Sequence, residues 1–153
     1  MEEYIMTIDE GTTSARAVLF NKDSEIIAIC AKEFAQYYPQ PGWVEQDPKE
    51  IWLTTKEVIN RVVLQAGIDP RQIKAAGITN QRETVVVYDK NTGEPVYNAI
   101  GWADRRTAPY CDELKAAGKE QMFIDKTGLL IDGYFSGTEI KWILDNVPGA
   151  RER

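Results

Sequence analysis

The sequence contains no histidine and only two cysteines. The first absence removes every imidazole device: Ser-His-Asp and Cys-His nucleophile systems, and histidine metal sites. Cys30 and Cys111 lie far apart without ligand spacing, so they read as packed or free thiols rather than a zinc site or a disulfide. Positive charge is also scarce. Eighteen Lys and Arg against 24 Asp and Glu give a net charge of −6, and nucleic acid is not an expected partner of such a chain. No apolar run approaches the length of a membrane span, and the first residues lack the basic flank and long apolar core of a signal peptide. A cytoplasmic protein without a membrane partner is therefore expected. No GxxxxGK[ST] segment occurs, which excludes a Walker-type phosphate loop. Chemistry must run on carboxylates, hydroxyls, arginine and a bound cation.

What is present suits an α/β domain. At 153 residues, with 43% apolar content and four tryptophans, the chain is long enough for one ordinary core. Residues 4–8, 15–20 and 25–33 read as three strands of a meander joined by tight turns. An aromatic and proline-rich loop follows at 37–46. Asp47-Pro48-Lys49-Glu50 opens a helix, with Asp47 as N-cap and Glu50 completing a capping box, and the helix runs to about Ala66. Ile51, Val58, Ile59, Val62 and Val63 give it one apolar face. Residues 73–78 form a fourth strand and Val85–Tyr88 a fifth, which turns at 89–93 toward Pro95–Ile100. Helices are expected at 106–117, at 119–126 and from about Gly137 to Asn146. Ser136 caps the last of these, and Ile140, Ile143 and Leu144 share its apolar face. The terminal Arg151-Glu152-Arg153 is expected to reach no element.

The densest chemistry lies near the start, in Asp9-Glu-Gly-Thr-Thr-Ser-Ala-Arg16. An apolar strand delivers Asp9 to its end, Gly11 allows a tight turn, and Thr12, Thr13 and Ser14 line it with hydroxyl and amide donors. Such a hairpin can cradle phosphate while the carboxylate faces a hydrated magnesium ion. Plain hairpins with Asp and Gly at the tip are as common, so further clusters decide. Arg82-Glu83, just after a strand, offers donors and acceptors that suit vicinal hydroxyls, or else a structural ion pair. Trp102 either covers the CH face of a polyol or belongs to the core. Asp104 and Arg106 read as stabilisers of the following helix. Tyr134 has a ring and a hydroxyl apt for a polyol edge, or packs as a loop tyrosine.

The stretches Asp9–Arg16, Tyr38–Glu45, Gly77–Thr84, Tyr97–Ile100, Arg105–Ala108, Lys126–Leu129, Asp132–Ser136 and Lys141–Asp145 together resemble the amino-terminal part of the glycerol kinase branch of the FGGY carbohydrate kinase family. The resemblance covers nearly the whole chain. It implies an α/β fold of the ribonuclease H-like, actin-type ATPase class, with 1–153 as one incomplete amino-terminal domain. It further implies that Thr12, Thr13, Ser14 and Arg16 bind the phosphate of ATP, and that Asp9 holds Mg through water. Arg82, Glu83 and Tyr134 are implied to hydrogen-bond glycerol, with Trp102 over its carbons. The implied reaction is ATP plus glycerol giving glycerol 3-phosphate and ADP.

Two departures bear on this. Glu10 stands where glutamine is usual, and Gly101-Trp-Ala-Asp104 resembles the Trp-x-Asp-x-Arg pattern of other sugar kinases in the family. Family members are also about three times as long. No catalytic residue is assigned, because the aspartate that takes the hydroxyl proton would lie beyond the chain end. The 153 residues alone are therefore expected to be inactive, with the missing carboxy-terminal half or a homo-oligomer as partner. A kinase for another polyol or ketose, and a non-catalytic polyol-binding or interaction module, are the alternatives.

Overall fold

The computed structural model describes residues 2–153, and the chain divides into two compact units. The first comprises the chain up to Ala35 together with Lys49–Gln81. It holds strands β1 (Tyr4–Glu10), β2 (Ser14–Asn21), β3 (Ile26–Glu33) and β5 (Ile73–Thr79), and helix α1 (Pro48–Ala66). The sheet order is β3-β2-β1-β5, antiparallel through the meander and parallel between β1 and β5. Alternation explains β1: Tyr4, Met6 and Ile8 point to one face and are buried there. They meet Ala15, Ala17 and Leu19 of β2, Ala28 of β3, and Val58 and Val62 of α1. Thr54 and Thr55 complete the buried side of that helix. The Asn21 side chain shapes the β2–β3 turn by accepting from the amides of Asp23 and Glu25, at 3.0 and 2.9 Å. The expected meander, α1 and the fourth strand are all found. A short 3-10 turn at Pro70–Gln72, capped by Asp69, was not expected. β5 packs little of itself: Ile78 is 72% exposed.

The second unit comprises Gln36–Pro48 and Arg82–Arg153. Strands β4 (Glu45–Gln46) and β6 (Ala99–Ile100) pair antiparallel, and helices α2 (Ala108–Ala116), α3 (Glu120–Thr127) and α4 (Ser136–Asn146) follow. Several expectations fail here. The proposed strand Val85–Tyr88 is reduced to isolated bridges, Val85 with Ile100 and Tyr88 with Pro95. Val85 and Val87 pack against the cluster of Ile100, Ile143 and Ala150 instead of extending a ladder. The loop 37–46 contributes β4. Ser136 lies inside α4 rather than capping it, because its Oγ donates to the carbonyl of Glu83 at 2.9 Å. The buried face of α4 carries Glu139 and Ile143, four residues apart, whereas Ile140 is 38% exposed. The last residues do reach the fold, since Arg151 pairs with Asp145, and Arg153 Nε donates to Asp89 at 3.2 Å.

Asp104 and Arg106 do more than flank a helix. The Arg106 side chain is 0% exposed. Its Nε and Nη2 donate to Asp104 at 3.0 and 2.8 Å, and Nη2 also reaches Glu45 at 2.8 Å. The guanidinium lies 3.8 Å from the ring centre of Trp43 and 4.6 Å from that of Trp142. Glu45 accepts additionally from Tyr97 Oη at 2.6 Å and Asn98 Nδ2 at 2.9 Å. Burial pushes the Glu45 carboxyl up, but these hydrogen bonds outweigh it and hold the group below its ordinary range.

Replacing Arg106 by leucine leaves two buried carboxylates without their cation, a loss of about 3–5 kcal/mol for a buried pair. The expected result is an early urea transition in the fluorescence of Trp43 and Trp142, and a midpoint unchanged from wild type would refute this account of the cluster.

Candidate functional site

In the first unit, β1 ends at Glu10 and β2 begins at Ser14, so Gly11, Thr12 and Thr13 form the hairpin tip. Gly11 does not use a positive φ. Its need is space, because a Cβ there would stand 3.1 Å from the carbonyl oxygen of Ser14, which accepts from the Gly11 amide at 2.9 Å. Thr12 and Thr13 are exposed at the tip, and Ser14 is half-buried. Asp9 and Arg16 face each other in the ladder, with Nη1 and Oδ2 3.9 Å apart and both side chains about half exposed (45% and 51%). Gln81 Nε2 donates to the Gly11 carbonyl at 3.2 Å, and the Phe34 amide donates to the Thr13 carbonyl at 3.1 Å. Thr55 Oγ1 on α1 lies 2.6 Å from Glu10 Oε1. The hairpin is thus fixed from behind while Asp9, Thr12, Thr13 and Arg16 remain accessible.

Asp9 is a hard oxygen donor at a strand end, and among the described residues no group of three or more metal-ligating side chains occurs. Magnesium keeps several waters and binds proteins through one or two carboxylates plus substrate phosphates, so a lone accessible carboxylate beside a hairpin fits that ion.

The second unit brings together Glu83, Trp102 and Tyr134. The rings of Trp102 and Tyr134 meet edge to face with centroids 5.9 Å apart. The Trp102 amide donates to Thr84 Oγ1 at 3.3 Å, and Ser136 holds the Glu83 carbonyl. Glu83 has φ +65°, a left-handed conformation that costs a glutamate of order 1–3 kcal/mol and marks a constrained site. Arg82 is exposed, and its side chain makes no ion pair or hydrogen bond with the described residues, so the Arg82–Glu83 ion pair does not form. Tyr134 is seated by its amide, which donates to Asp132 Oδ1 at 2.8 Å. The preceding Gly133 passes so close to Thr107 that a Cβ would come within 3.0 Å of its Oγ1. Asp104 is 1% exposed. Its Oδ1 accepts from the amide and Nε of Arg106, and its Oδ2 from the Val44 amide and Arg106 Nη2.

One residue of this unit was not singled out in the sequence. Glu139 is 0% exposed, and neither carboxyl oxygen has a hydrogen-bond partner among the described residues. Burial pushes its carboxyl up to about 9; Asp104 and Glu83 add to the rise and Arg106 opposes it. The only hint in the sequence is its four-residue spacing from Ile143.

The model of the FGGY family of carbohydrate kinases, N-terminal domain, matches residues 4–153. A glycerol kinase of Chromobacterium violaceum is 60% identical over 152 residues, which is 99% of this chain and 30% of that protein. A glycerol kinase of Geobacillus kaustophilus is 60% identical over 153 residues, 100% of this chain and 31% of its own length. Among solved structures, Plasmodium falciparum glycerol kinase with ADP superposes with a TM-score of 0.90 at 31% identity, covering 99% of this chain and 30% of that one. The chain spans about 30% of the length of the curated relatives it matches.

The state of Glu139 sets a pH dependence. Its native carboxyl holds its proton up to about 9, whereas in the unfolded chain it releases it above 4.5. Stability from this group is therefore complete below about 4.5 and falls as pH rises toward 9, by up to about 1.4 kcal/mol per unit. Glu139→Gln cannot ionise and should be more stable than wild type at pH 8, with the advantage shrinking toward pH 5. Urea denaturation at several pH values checks this, and parallel curves for the two proteins would refute it.

Proposed function

The chain belongs to the FGGY family of carbohydrate kinases, and on that premise we propose that it supplies the phosphate-binding hairpin and the polyol-binding residues of a cytoplasmic, ATP-dependent glycerol kinase. The reaction is ATP plus glycerol giving glycerol 3-phosphate and ADP. Residues 1–153 are read as part of the amino-terminal family domain, completed by the share of the relatives' length that this chain does not span. The observation that carries the substrate assignment is the cluster in which Trp102 and Tyr134 meet at 5.9 Å beside the strained Glu83.

Each residue then has a defined task. Glu83 accepts from glycerol hydroxyls, Arg82 donates to them with an uncommitted guanidinium, and the Tyr134 phenol contacts a third polar edge. Trp102 covers the carbon face, seated edge to face against Tyr134. At the hairpin, Thr12, Thr13, Ser14 and Arg16 give donors and positive charge to phosphate oxygens, where charge spreads during transfer. Asp9 would hold magnesium through water; the ion, when bound, neutralises charge on the phosphates. The loose 3.9 Å contact between Asp9 and Arg16 leaves both groups available for these partners.

The other sugar-kinase reading rested on Asp104. That carboxylate is buried and already receives four donors from Arg106 and Val44, so it is poorly placed to receive a sugar hydroxyl. The relatives named glycerol kinase, at 60% identity, favour the same choice.

Steady-state kinetics of the intact gene product test the proposal, with ADP release followed against glycerol, xylulose and gluconate. Glycerol is expected to be strongly preferred. Arg82→Ala and Glu83→Gln each remove a hydrogen bond to a charged group, worth about 1.5–3 kcal/mol, and should lower kcat/KM for glycerol roughly 10- to 100-fold. Preference for a ketose, or full activity in both variants, would overturn the assignment.

A further inference from the structure

We propose that Glu139 is a positioning residue for the polyol cluster: enclosed without a hydrogen-bond partner in the first turn of α4, it keeps that turn packed behind Glu83 only while its carboxyl is uncharged. The inference rests on the polyol-binding reading of Glu83, Trp102 and Tyr134 and deepens it.

The first turn of α4 carries two functions at once. Ser136 Oγ donates to the Glu83 carbonyl at 2.9 Å, and three residues later Glu139 is fully enclosed. The residue before the turn, Phe135, meets the Tyr134 ring edge to face at 5.1 Å, and Tyr134 in turn meets Trp102. Loosening this turn therefore affects all three members of the cluster. Glu83 is the most sensitive, because its φ of +65° persists only while its surroundings impose it.

The surroundings decide which state of Glu139 the fold accepts. The charged groups that act on it are Asp104 and Arg106, on the segment leading into α2, and Glu83, on the loop after β5. Asp104 is filled by four donors, and Glu83 is itself an acceptor. Arg106 spends Nε and Nη2 on Asp104 and Glu45, while its buried Nη1 has no hydrogen-bond partner among the described residues and forms no ion pair with Glu139. A neutral acid with no partner is tolerable in such a place, whereas an unpaired carboxylate is not. Ionisation requires water, and water reaches Glu139 only if the turn opens. The carboxyl, held up to about 9, then couples that opening to alkaline pH.

Equilibrium glycerol binding to the intact gene product, measured by calorimetry between pH 7 and 10, tests this. Wild type should bind about tenfold more weakly at pH 10 than at pH 7, the factor for a site that must keep a proton held to about 9. In Glu139→Gln, which shares every other titrating group, the ratio should approach one. Wild type labelled at the glutamate carboxyl carbon with 13C supplies a second measurement that needs no variant. A protonated-carboxyl infrared band at pH 7 that disappears by pH 10 supports the proposal, and its absence overturns it. A variant that retains the alkaline loss also overturns it, while leaving the polyol reading intact. If wild type binds no glycerol at any pH, the polyol reading fails first, and the role of Glu139 falls with it.

Discussion

The second unit depends on one buried guanidinium. Arg106 is enclosed: the mutually perpendicular indoles of Trp43 and Trp142 lie against its guanidinium, and Nε and Nη2 donate to Asp104 and Glu45. In such a place the planar fork matters as much as the charge, because Nε and Nη2 each have a fixed target. The same contacts set the positions of Trp43 and Glu45, from one stretch of chain, and of Trp142, from another. Through Asp104, which also receives the Val44 amide, the network holds the segment that includes Trp102. Little regular secondary structure joins these stretches, since β4 and β6 are two residues each. Polar contacts therefore carry what a longer sheet carries elsewhere.

The first unit is built by the opposite means. Its core is apolar, laid down by alternation in the meander and by one face of α1, and its chemistry sits at a strand junction. The hairpin after β1 is fixed from behind by backbone contacts, by Gln81 and by Thr55, which leaves its tip exposed. An anion-binding turn gains from this arrangement, since donors already held in place lose little entropy on meeting a phosphate. Both units thus present their proposed ligand groups on a frame made rigid by residues that touch no ligand.

Much of this was legible in the sequence. Strands β1, β2, β3 and β5 and helix α1 follow from period and punctuation, and the mixed α/β class follows from their order. Trp102 and Tyr134 were marked as chemistry-bearing and do lie together. The failures share a cause. Val85–Tyr88 has the composition of a strand, yet Val85 and Val87 pack onto the cluster around Ile100 and Ile143 and only isolated bridges remain. Ser136 has the identity of a cap, but a carbonyl outside its own helix claims its hydroxyl. Asp104 and Arg106 read as stabilisers of the following helix, and only the fold shows that they are enclosed. Glu139 was not singled out, because a glutamate is almost never fully buried unless paired. Long-range contacts decided each of these cases, and local pattern does not encode them.

The backbone at Glu83 has a consequence for how this position changes over time. Glycine would adopt φ +65° without strain, so the conformation itself favours losing the side chain. A carboxylate stands there in this chain, and the fold bears the difference. With the polyol role proposed for Glu83, stability and ligand recognition pull on this site in opposite directions. In a descendant without the proposed polyol role, position 83 is where relaxed selection would first be written, as a drift toward glycine or asparagine.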